Sequence, residues 1–239
     1  MGRRFLHFSG LRAKRTRPLT VDIMIEIGAP ALYAKLLRQR RILRMLGYGS
    51  ISALTAAVAV WALPNLQGAG LLACVAAAAV GLSHNEFISV KKAQAGIQAE
   101  EVAARSIRQA PLFCAAFGMV LDRGDCDAIA IGPQLAVIEV KHGRGTISIR
   151  KGRLFINDRA FKGDPVRQSH GQASALRRIC GQTADTVVCV TGMQNAPFEV
   201  NGTWLCGAKD LPAVLTRLPH RLTQMQAATL VGKLRAENP

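Results

Sequence analysis

The sequence predicts a mixed α/β domain preceded by a two-helix transmembrane hairpin. Two uncharged apolar stretches, residues 45–63 and 66–82, are separated only by Pro64-Asn65, as in a tight helical hairpin. After them, short apolar runs typical of strands alternate with segments of helical pattern. We therefore divide the chain into a basic leader (1–44), a transmembrane helical hairpin (45–84) and an α/β domain (85–239).

Composition narrows the classes of function. The chain has 239 residues, 49% of them hydrophobic, which excludes an intrinsically disordered protein. Lys and Arg number 31 against 15 Asp and Glu, a net charge of +16, so the expected partners carry phosphate: nucleic acid or anionic lipid. Aromatic residues make up only 5%, which argues against a platform of aromatic side chains as the main nucleic-acid contact.

The leader is rich in arginine and has no acidic residue from Met1 to Pro18. Because it precedes Arg-flanked apolar stretches, we expect it to lie on anionic lipid headgroups. A mitochondrial presequence has a similar composition and is the alternative. From Val21 to Leu46, apolar residues recur at helical spacing, which predicts a surface-lying amphipathic helix interrupted at Gly28-Ala29-Pro30.

Each apolar stretch has the length of one bilayer crossing, since a helix of this length spans roughly 25–29 Å. Arginines precede the first stretch, and Lys91 and Lys92 follow the second. Both termini are therefore expected on the cytoplasmic side of a bacterial inner membrane or, alternatively, of an organellar membrane. The small residues of the hairpin would allow close helix contacts and homo-oligomers. A buried alanine-rich helix pair in a soluble protein is the alternative.

The order of the predicted elements after the hairpin is helix, strand meander, helix, strand, helix. Gly132-Pro133-Gln134 and Lys151-Gly152 separate strand-like runs and predict two β-hairpins. Asp164-Pro165 is typical of a helix N-cap and first helical residue. The predicted elements are a helix over 85–109, strands over 112–121, 126–131, 135–140, 146–150, 153–156, 186–190 and 202–205, and helices over 165–180, 211–218 and 222–235.

The six cysteines form no CxxC pair and no Cys/His cluster of zinc spacing. Free cysteine is among the most buried residue types, so we expect buried free thiols in a reducing compartment and no secreted disulfide framework. The four that lie in apolar, strand-like contexts are Cys114, Cys126, Cys189 and Cys206.

Two acids and a lysine lie near the open end of the first predicted β-hairpin. Asp127 and Glu139 are at similar distances from its turn, so the two carboxylates are candidates to face each other across the strands. The two-residue period of a strand puts Glu139 and Lys141 on one face, with Val140 in the core. Charges at the ends of apolar strands are costly unless they are paired or bind a cation.

This arrangement suits metal-assisted hydrolysis of a phosphodiester bond. Asp127 and Glu139 would hold Mg²⁺, or alternatively Mn²⁺, because hard cations prefer oxygen ligands, and the cation would polarise the phosphoryl oxygen and lower the pKa of a water. Lys141 would orient or deprotonate that water or stabilise charge on the phosphate. A surface salt bridge on a strand is the alternative for these residues. Asp125 has the same strand parity as Asp127 and is a competing ligand.

The stretch from Gly96 to Leu230 resembles the nuclease-related domain (NERD), a branch of the PD-(D/E)XK nuclease-like superfamily. The resemblance lies in an ordered series of short motifs. They are Gly96-Ile97-Gln98-Ala99-Glu100 for the opening helix, Gly124-Asp125-Cys126-Asp127 with Gly132-Pro133 for the aspartate strand, Val137-Ile138-Glu139-Val140-Lys141 with Gly145 for the Glu-x-Lys strand, Asp164-Pro165-Val166-Arg167-Gln168 for the Asn-Pro-x-x-Gln helix, and 211–234 for the closing helices.

The resemblance implies a restriction-endonuclease-like fold, a mixed sheet flanked by helices, and it implies roles for individual residues. Glu100 would be a helix carboxylate that supports a metal ion or orients the site, so that the implied metal ligands are Asp127, Glu139 and Glu100. Gln168 would contact the site or DNA from its helix. The implied spacing favours Asp127 over Asp125. The chain departs from the family pattern at Ala99, Ala128, His142 and Asp164.

A basic stretch follows the Glu-x-Lys strand. We expect it to contact phosphate beside the site, with a solvated hairpin face as the alternative. The predicted nucleic-acid-binding residues are Arg144, Arg150, Lys151, Arg153 and Arg167.

These features together predict a membrane-anchored, Mg²⁺-dependent nuclease, an endonuclease that hydrolyses phosphodiester bonds in DNA, or in another nucleic acid, at the cytoplasmic face. Two alternatives stay open. The same fold can serve as a catalytically inactive nucleic-acid-binding or scaffold module. The chain can also be a membrane-structural protein with a regulatory soluble domain.

Overall fold

The computed structural model describes residues 24–61, 66–122, 124–150, 153–161 and 163–237. Three sequence predictions fall outside these residues: the arm on the lipid headgroups (1–18), the loop between the apolar stretches, and the phosphate contact of Lys151. The helices of the described part are α1 (Leu32–Trp61), α2 (Leu66–Ile107), α3 (Pro165–Cys180), α4 (Leu211–Arg217) and α5 (Gln224–Glu237).

The described strands form one large sheet and one small sheet. The large sheet has seven strands in the order β1-β2-β3-β4-β8-β10-β9 and is mixed, because β1 with β2, β4 with β8 and β8 with β10 are parallel and the other pairs are antiparallel. The predicted mixed α/β fold is confirmed. The strands are β1 (Ile25–Gly28), β2 (Cys114–Leu121), β3 (Gly124–Ile131), β4 (Leu135–Gly145), β5 (Ile147–Arg150), β6 (Arg153–Ile156), β7 (Arg159–Ala160), β8 (Asp185–Met193), β9 (Phe198–Val200) and β10 (Thr203–Cys206), and β5, β6 and β7 form the small sheet.

Helices cover both faces of the large sheet. On one face α2 and α4 pack on alternate residues of the central strands, among them Ala128 and Ile138. On the other face α3 and α5 pack on the residues between these, among them Ile129 and Val137. Both faces of the sheet are therefore covered, and the candidate site lies between the sheet and α3, where β3 and β4 stop pairing.

Helices α1 and α2 form an antiparallel hairpin. Ser52 Oγ donates to the carbonyl of Ala76 at 3.3 Å, and Arg41 Nη1 donates to the carbonyl of Ser89 at 3.3 Å, so the pairing runs in opposite directions along the two helices. By length and composition both helices could cross a membrane, and none of the first apolar window and 6% of the second is buried within the described chain. The other described residues therefore do not cover these apolar surfaces.

The amphipathic helix predicted from Val21 to Leu46 is wrong for its first part. Ile25–Gly28 is an edge strand that pairs in parallel with β2, and the helix begins only at Leu32. Gly28 has φ +72 and a Cβ there would lie 2.2 Å from the carbonyl oxygen of Phe117, so the backbone approaches too closely for a side chain. Tertiary pairing with β2 thus overrides the helical spacing of the apolar residues.

Helix α2 runs without a break across the predicted boundary between the hairpin and the α/β domain. The apolar stretch 66–82 and the helix predicted over 85–109 are one helix of 42 residues. Its C-terminal third packs on the sheet through alanines such as Ala103 and through Ile107. The same helix therefore belongs to both parts of the protein.

Several local predictions are confirmed. The turn at Gly132-Pro133-Gln134 joins β3 and β4 as an antiparallel hairpin, and β5 and β6 form the second one. Asp164 is the N-cap of α3, and its Oδ1 accepts from the backbone N–H of Arg167 at 3.0 Å. All six cysteines are free, and the four expected to be buried are buried: Cys114, Cys126, Cys189 and Cys206.

Candidate active site

The β3–β4 hairpin stops pairing at the end that carries the predicted acids. Its register runs from Ile131 opposite Leu135 to Ala128 opposite Ile138. Beyond the last pair the Val140 N–H donates to the Asp127 carboxylate, with 2.7 Å between Val140 N and Asp127 Oδ2. The Asp127 side chain thus links β3 to β4 next to Glu139, beyond the last backbone pair of the two strands.

β4 continues to Gly145, so Glu139 does not lie at a strand end as the sequence predicted but within the strand, just past the last β3–β4 pair. Its side chain is 1% exposed, and it pairs with a lysine on its own strand. Its Oε1 accepts from the Nζ of Lys141, which also donates to Gln168 Oε1 of α3 at 3.3 Å. Val140, between them in sequence, packs in the core. The predicted sharing of one strand face by Glu139 and Lys141 is confirmed, and Gln168 lies beside them.

Gln172 is a residue of this site that the sequence reasoning missed. It is 1% exposed, and its Nε2 donates to Glu139 Oε2 at 2.8 Å and to the Asp125 carbonyl at 2.7 Å. Its Oε1 is buried without a hydrogen-bond partner among the described residues. The available signal was the spacing Gln168-x-x-x-Gln172, which puts two amides on one face of a helix.

The electrostatics of the site favour an added positive charge. Burial and, after it, the neighbouring Glu139 carboxylate raise the pKa of Asp127 to about 8, and the Val140 N–H and the Lys141 ammonium oppose this only in part. Two carboxylates that share a buried site cannot both ionise cheaply unless a cation lies between or beside them. Asp125, the competing ligand, is exposed and offers its carbonyl to Gln172.

Glu100 lies on α2, beyond the apolar stretch, near the backbone N–H of Ala31 and the carboxylate of Glu139. Burial raises its pKa, the backbone N–H of Ala31 lowers it, and the charge of Glu139 raises it. Ala31 directly precedes α1 and has φ 57. Glu100 therefore holds the chain that enters α1, and it is also close enough to sense the charge of Glu139. Its predicted support of a metal ion stays a prediction.

The donor set fits a hard cation that keeps most of its waters. Asp127 and Glu139 supply carboxylate oxygens, and the orphaned Oε1 of Gln172 supplies an amide oxygen next to Glu139. Within the described ranges no group of three or more His, Cys, Asp and Glu side chains is close enough to hold a metal ion. Mg²⁺ needs only one or two carboxylates when waters and substrate phosphate complete its shell.

Comparison with known proteins places all of these residues in one region. Residues 95–193 match the family model of the nuclease-related domain. The comparisons with curated proteins and with solved structures gave no match. The nuclease-related region contains Glu100, Asp127, Glu139, Lys141 and Gln168, and it ends at Met193 with strand β8. The closing helices, which the sequence resemblance also included, lie beyond it.

The predicted phosphate-binding residues of the nuclease-related region have different surroundings in the structure. Arg150 pairs with Asp158 and lies over the Phe155 ring at 5.5 Å. Arg144 is exposed at the end of β4. Arg153 and Arg167 come from different elements and line one cavity. Contact of these residues with nucleic acid stays a prediction, and the cavity is treated below.

We predict that Gln172 and Glu139 are energetically coupled in the folded protein. Gln172→Leu leaves a buried carboxylate oxygen without its donor, and this should lower the free energy of unfolding by about 1–3 kcal/mol. Combined with Glu139→Leu it should cost much less than the sum of the single changes, a coupling measured by a double-mutant cycle in chemical denaturation. Arg217→Gln, at an exposed residue of α4 outside this site, is the control and should stay within about 0.5 kcal/mol. Additive effects would show that the hydrogen bond does not hold Glu139.

Proposed function

We propose that the protein is a membrane-anchored, Mg²⁺-dependent nuclease that hydrolyses phosphodiester bonds in DNA at the cytoplasmic face of a bacterial inner membrane. The observation that carries this proposal is the group of Asp127, Glu139 and Lys141 at the point where β3 and β4 stop pairing, two carboxylates close together beside one ammonium. The match of residues 95–193 to the nuclease-related domain supports the nuclease-related part of the function.

In this proposal Asp127 and Glu139 hold Mg²⁺, which would supply a Lewis acid for the phosphoryl oxygen and a lowered pKa for the attacking water. The Val140 N–H fixes Oδ2 of Asp127, and Gln172 and Lys141 each fix one oxygen of Glu139, so both carboxylates are held in defined orientations for a cation. Lys141 is 27% exposed on its side chain and is therefore in reach of a phosphate while anchored by Glu139. It would place its ammonium on the phosphate oxygens, where negative charge develops.

Gln168 is the polar neighbour of Lys141 on the solvent side. Its Oε1 accepts from Lys141 Nζ, which orients the ammonium, and its amide N–H groups would remain available to a phosphate or a water. The role of Gln168 is thus to position Lys141 and to contact the substrate strand.

The membrane part of the proposal rests on the uncovered apolar surface of the α1–α2 hairpin. Leu54 and Val75, near the centres of the two apolar stretches, are 67% and 42% exposed. The basic residues lie at the end of the hairpin that joins the α/β domain, so that this end would face the cytoplasm and its anionic lipids. Self-association through the hairpin is part of the same proposal.

An inactive nucleic-acid-binding module is the second candidate. It is favoured by one observation: Glu139 Oε1 already pairs with Lys141, so the carboxylate is partly neutralised without a metal ion. A structural salt bridge of this kind holds a fold together but cleaves nothing.

Cleavage by the purified full-length chain in detergent separates these candidates. We predict that it cuts linear, supercoiled or single-stranded DNA with Mg²⁺ or Mn²⁺ and not with EDTA, and that Glu139→Gln and Lys141→Ala each reduce the rate by about 10²–10⁴-fold. The assay uses the whole chain rather than residues 85–239, because strand β1 and Ala31, which contacts Glu100, both lie before residue 85.

Arg217→Gln is the control for this assay, because Arg217 is exposed on α4 and should leave the rate unchanged. A wild type that binds DNA without cleaving it would contradict the nuclease and support the inactive binding module.

We further predict that the protein stays in the membrane pellet after an alkaline carbonate wash of cells that express it. Leu54→Lys with Val75→Lys should release it, because a lysine at the centre of a spanning helix costs about 2.5–3.5 kcal/mol. Ile149→Lys, on an exposed apolar residue of β5, is the matched control. Release of the wild type by carbonate would contradict a spanning hairpin.

A further inference from the structure

A cavity of about 410 Å³ lies between the small sheet and the start of α3, within the size range of small-ligand sites. Its floor is apolar, formed by Leu154, which is buried, and by Phe161, which is half-buried. The Phe161 N–H donates to the Leu154 carbonyl at 3.0 Å, which fixes the floor to the small sheet. Arg153 and Arg167 stand at its rim and are exposed.

Arg153 and Arg167, at the rim, have different contacts from Arg150, the other arginine of the β5–β6 hairpin. Arg150 is opposite Arg153 in the strand register, but its guanidinium pairs with Asp158 and lies over Phe155. Arg153 and Arg167 take part in no ion pair among the described residues. Two guanidiniums without an anionic partner, brought together from a strand and a helix, point to an anionic ligand.

The cavity adjoins the candidate active site through α3. Arg167 directly precedes Gln168, whose Oε1 contacts Lys141. A ligand in the cavity therefore lies one residue along α3 from the contact of Gln168 with Lys141. This favours a part of the nuclease substrate over an unrelated small molecule.

Asp164 restricts which anionic ligands the cavity suits. It also lines the cavity, and its Oδ1 accepts from the Arg167 backbone N–H. Its charge offsets part of the two guanidinium charges, which disfavours a small inorganic anion. Its other oxygen, which has no donor among the described residues, can accept from an N–H group, so the lining suits a ligand with a phosphate, a flat apolar ring and N–H donors together.

We propose that this cavity binds one unpaired nucleotide of the substrate strand next to the scissile phosphate, which makes single-stranded DNA or an unpaired stretch the preferred substrate. Arg153 and Arg167 hold the phosphate of this nucleotide, and its base lies against Phe161 and Leu154. The inference rests on the proposed nuclease function for its substrate but not for its test. The low aromatic content of the chain is consistent with it, because one ring suffices for one base.

A base can enter the cavity only when it is not stacked and paired. In a duplex each base has neighbours on both faces, and removing it costs a few kcal/mol, whereas a single-stranded base is free to stack on a protein side chain. Contacts of this cavity should therefore distinguish single strands from duplexes, whereas ordinary phosphate contacts on a surface strengthen both.

The test is binding of fluorescent oligonucleotides to the full-length chain in detergent and EDTA, where no metal-dependent cleavage occurs. The probes are a single-stranded 12-mer of mixed sequence and a blunt 12-base-pair duplex, at one fixed salt concentration, read by fluorescence anisotropy. Arg153→Gln with Arg167→Gln, and separately Phe161→Leu, should weaken single-strand binding by about tenfold and duplex binding by less than twofold. Arg217→Gln should change neither Kd, and unchanged melting temperatures show that the variants fold.

The outcomes separate this proposal from the proposed function. Equal weakening of both probes, or no weakening, overturns the nucleotide site, and it does so even if the wild type cleaves DNA. Selective weakening of the single strand supports the site even if the wild type cleaves nothing with Mg²⁺. A wild type that binds neither probe overturns the site as well.

Discussion

The carboxylate of Glu139 is buried within the central strand β4, and the arrangement of the site follows from the cost of burying this charge. A buried charge is tolerated only with close partners, and Glu139 has two, Lys141 on one oxygen and Gln172 on the other. Asp127, next to it, accepts one hydrogen bond from the Val140 N–H, and burial together with the charge of Glu139 raises its pKa. Lys141 therefore serves two purposes: it compensates Glu139, and it remains exposed enough to meet a phosphate.

Helix α2 connects this site to the apolar hairpin in one rigid element. Lys35 of α1 pairs with Glu101 of α2 at 2.9 Å, and Glu100 binds the Ala31 N–H, so the start of α1 is fixed against the helix that packs on the sheet. From Leu82 to Glu100 the helix rises about 27 Å at 1.5 Å per residue. In the proposed membrane setting the active site would thus stand at a set distance from the bilayer.

The parts of the structure that depend on local sequence could be predicted, and those that depend on distant contacts could not. The turn at 132–134 fixes the β3–β4 register, and with it the approach of Asp127 to Glu139. The sequence predicts a helix at the four-residue strand β1, because only pairing with a strand about ninety residues away makes it a strand: Ile25 lies opposite Cys114. Nothing in the sequence distinguishes Gln172 from other helix glutamines, and only the packing of α3 on β4 brings its amide to Glu139. Likewise Arg150 and Arg153 are indistinguishable in sequence, and only Asp158 and the cavity separate them.

The most direct test of the account is the effect of Mg²⁺ on the stability of the full-length protein at different pH. Because the folded pKa of Asp127 is raised to about 8, the folded state holds a proton that the unfolded chain has lost, so the metal-free protein should lose stability as pH rises from about 4 through 8. Mg²⁺ should restore the melting temperature of the wild type at pH 8.5, above the pKa of Asp127, and should not restore that of Asp127→Asn or Glu139→Gln. A wild type that Mg²⁺ leaves unchanged, or stabilises no more than these variants, would contradict a cation site formed by Asp127 and Glu139.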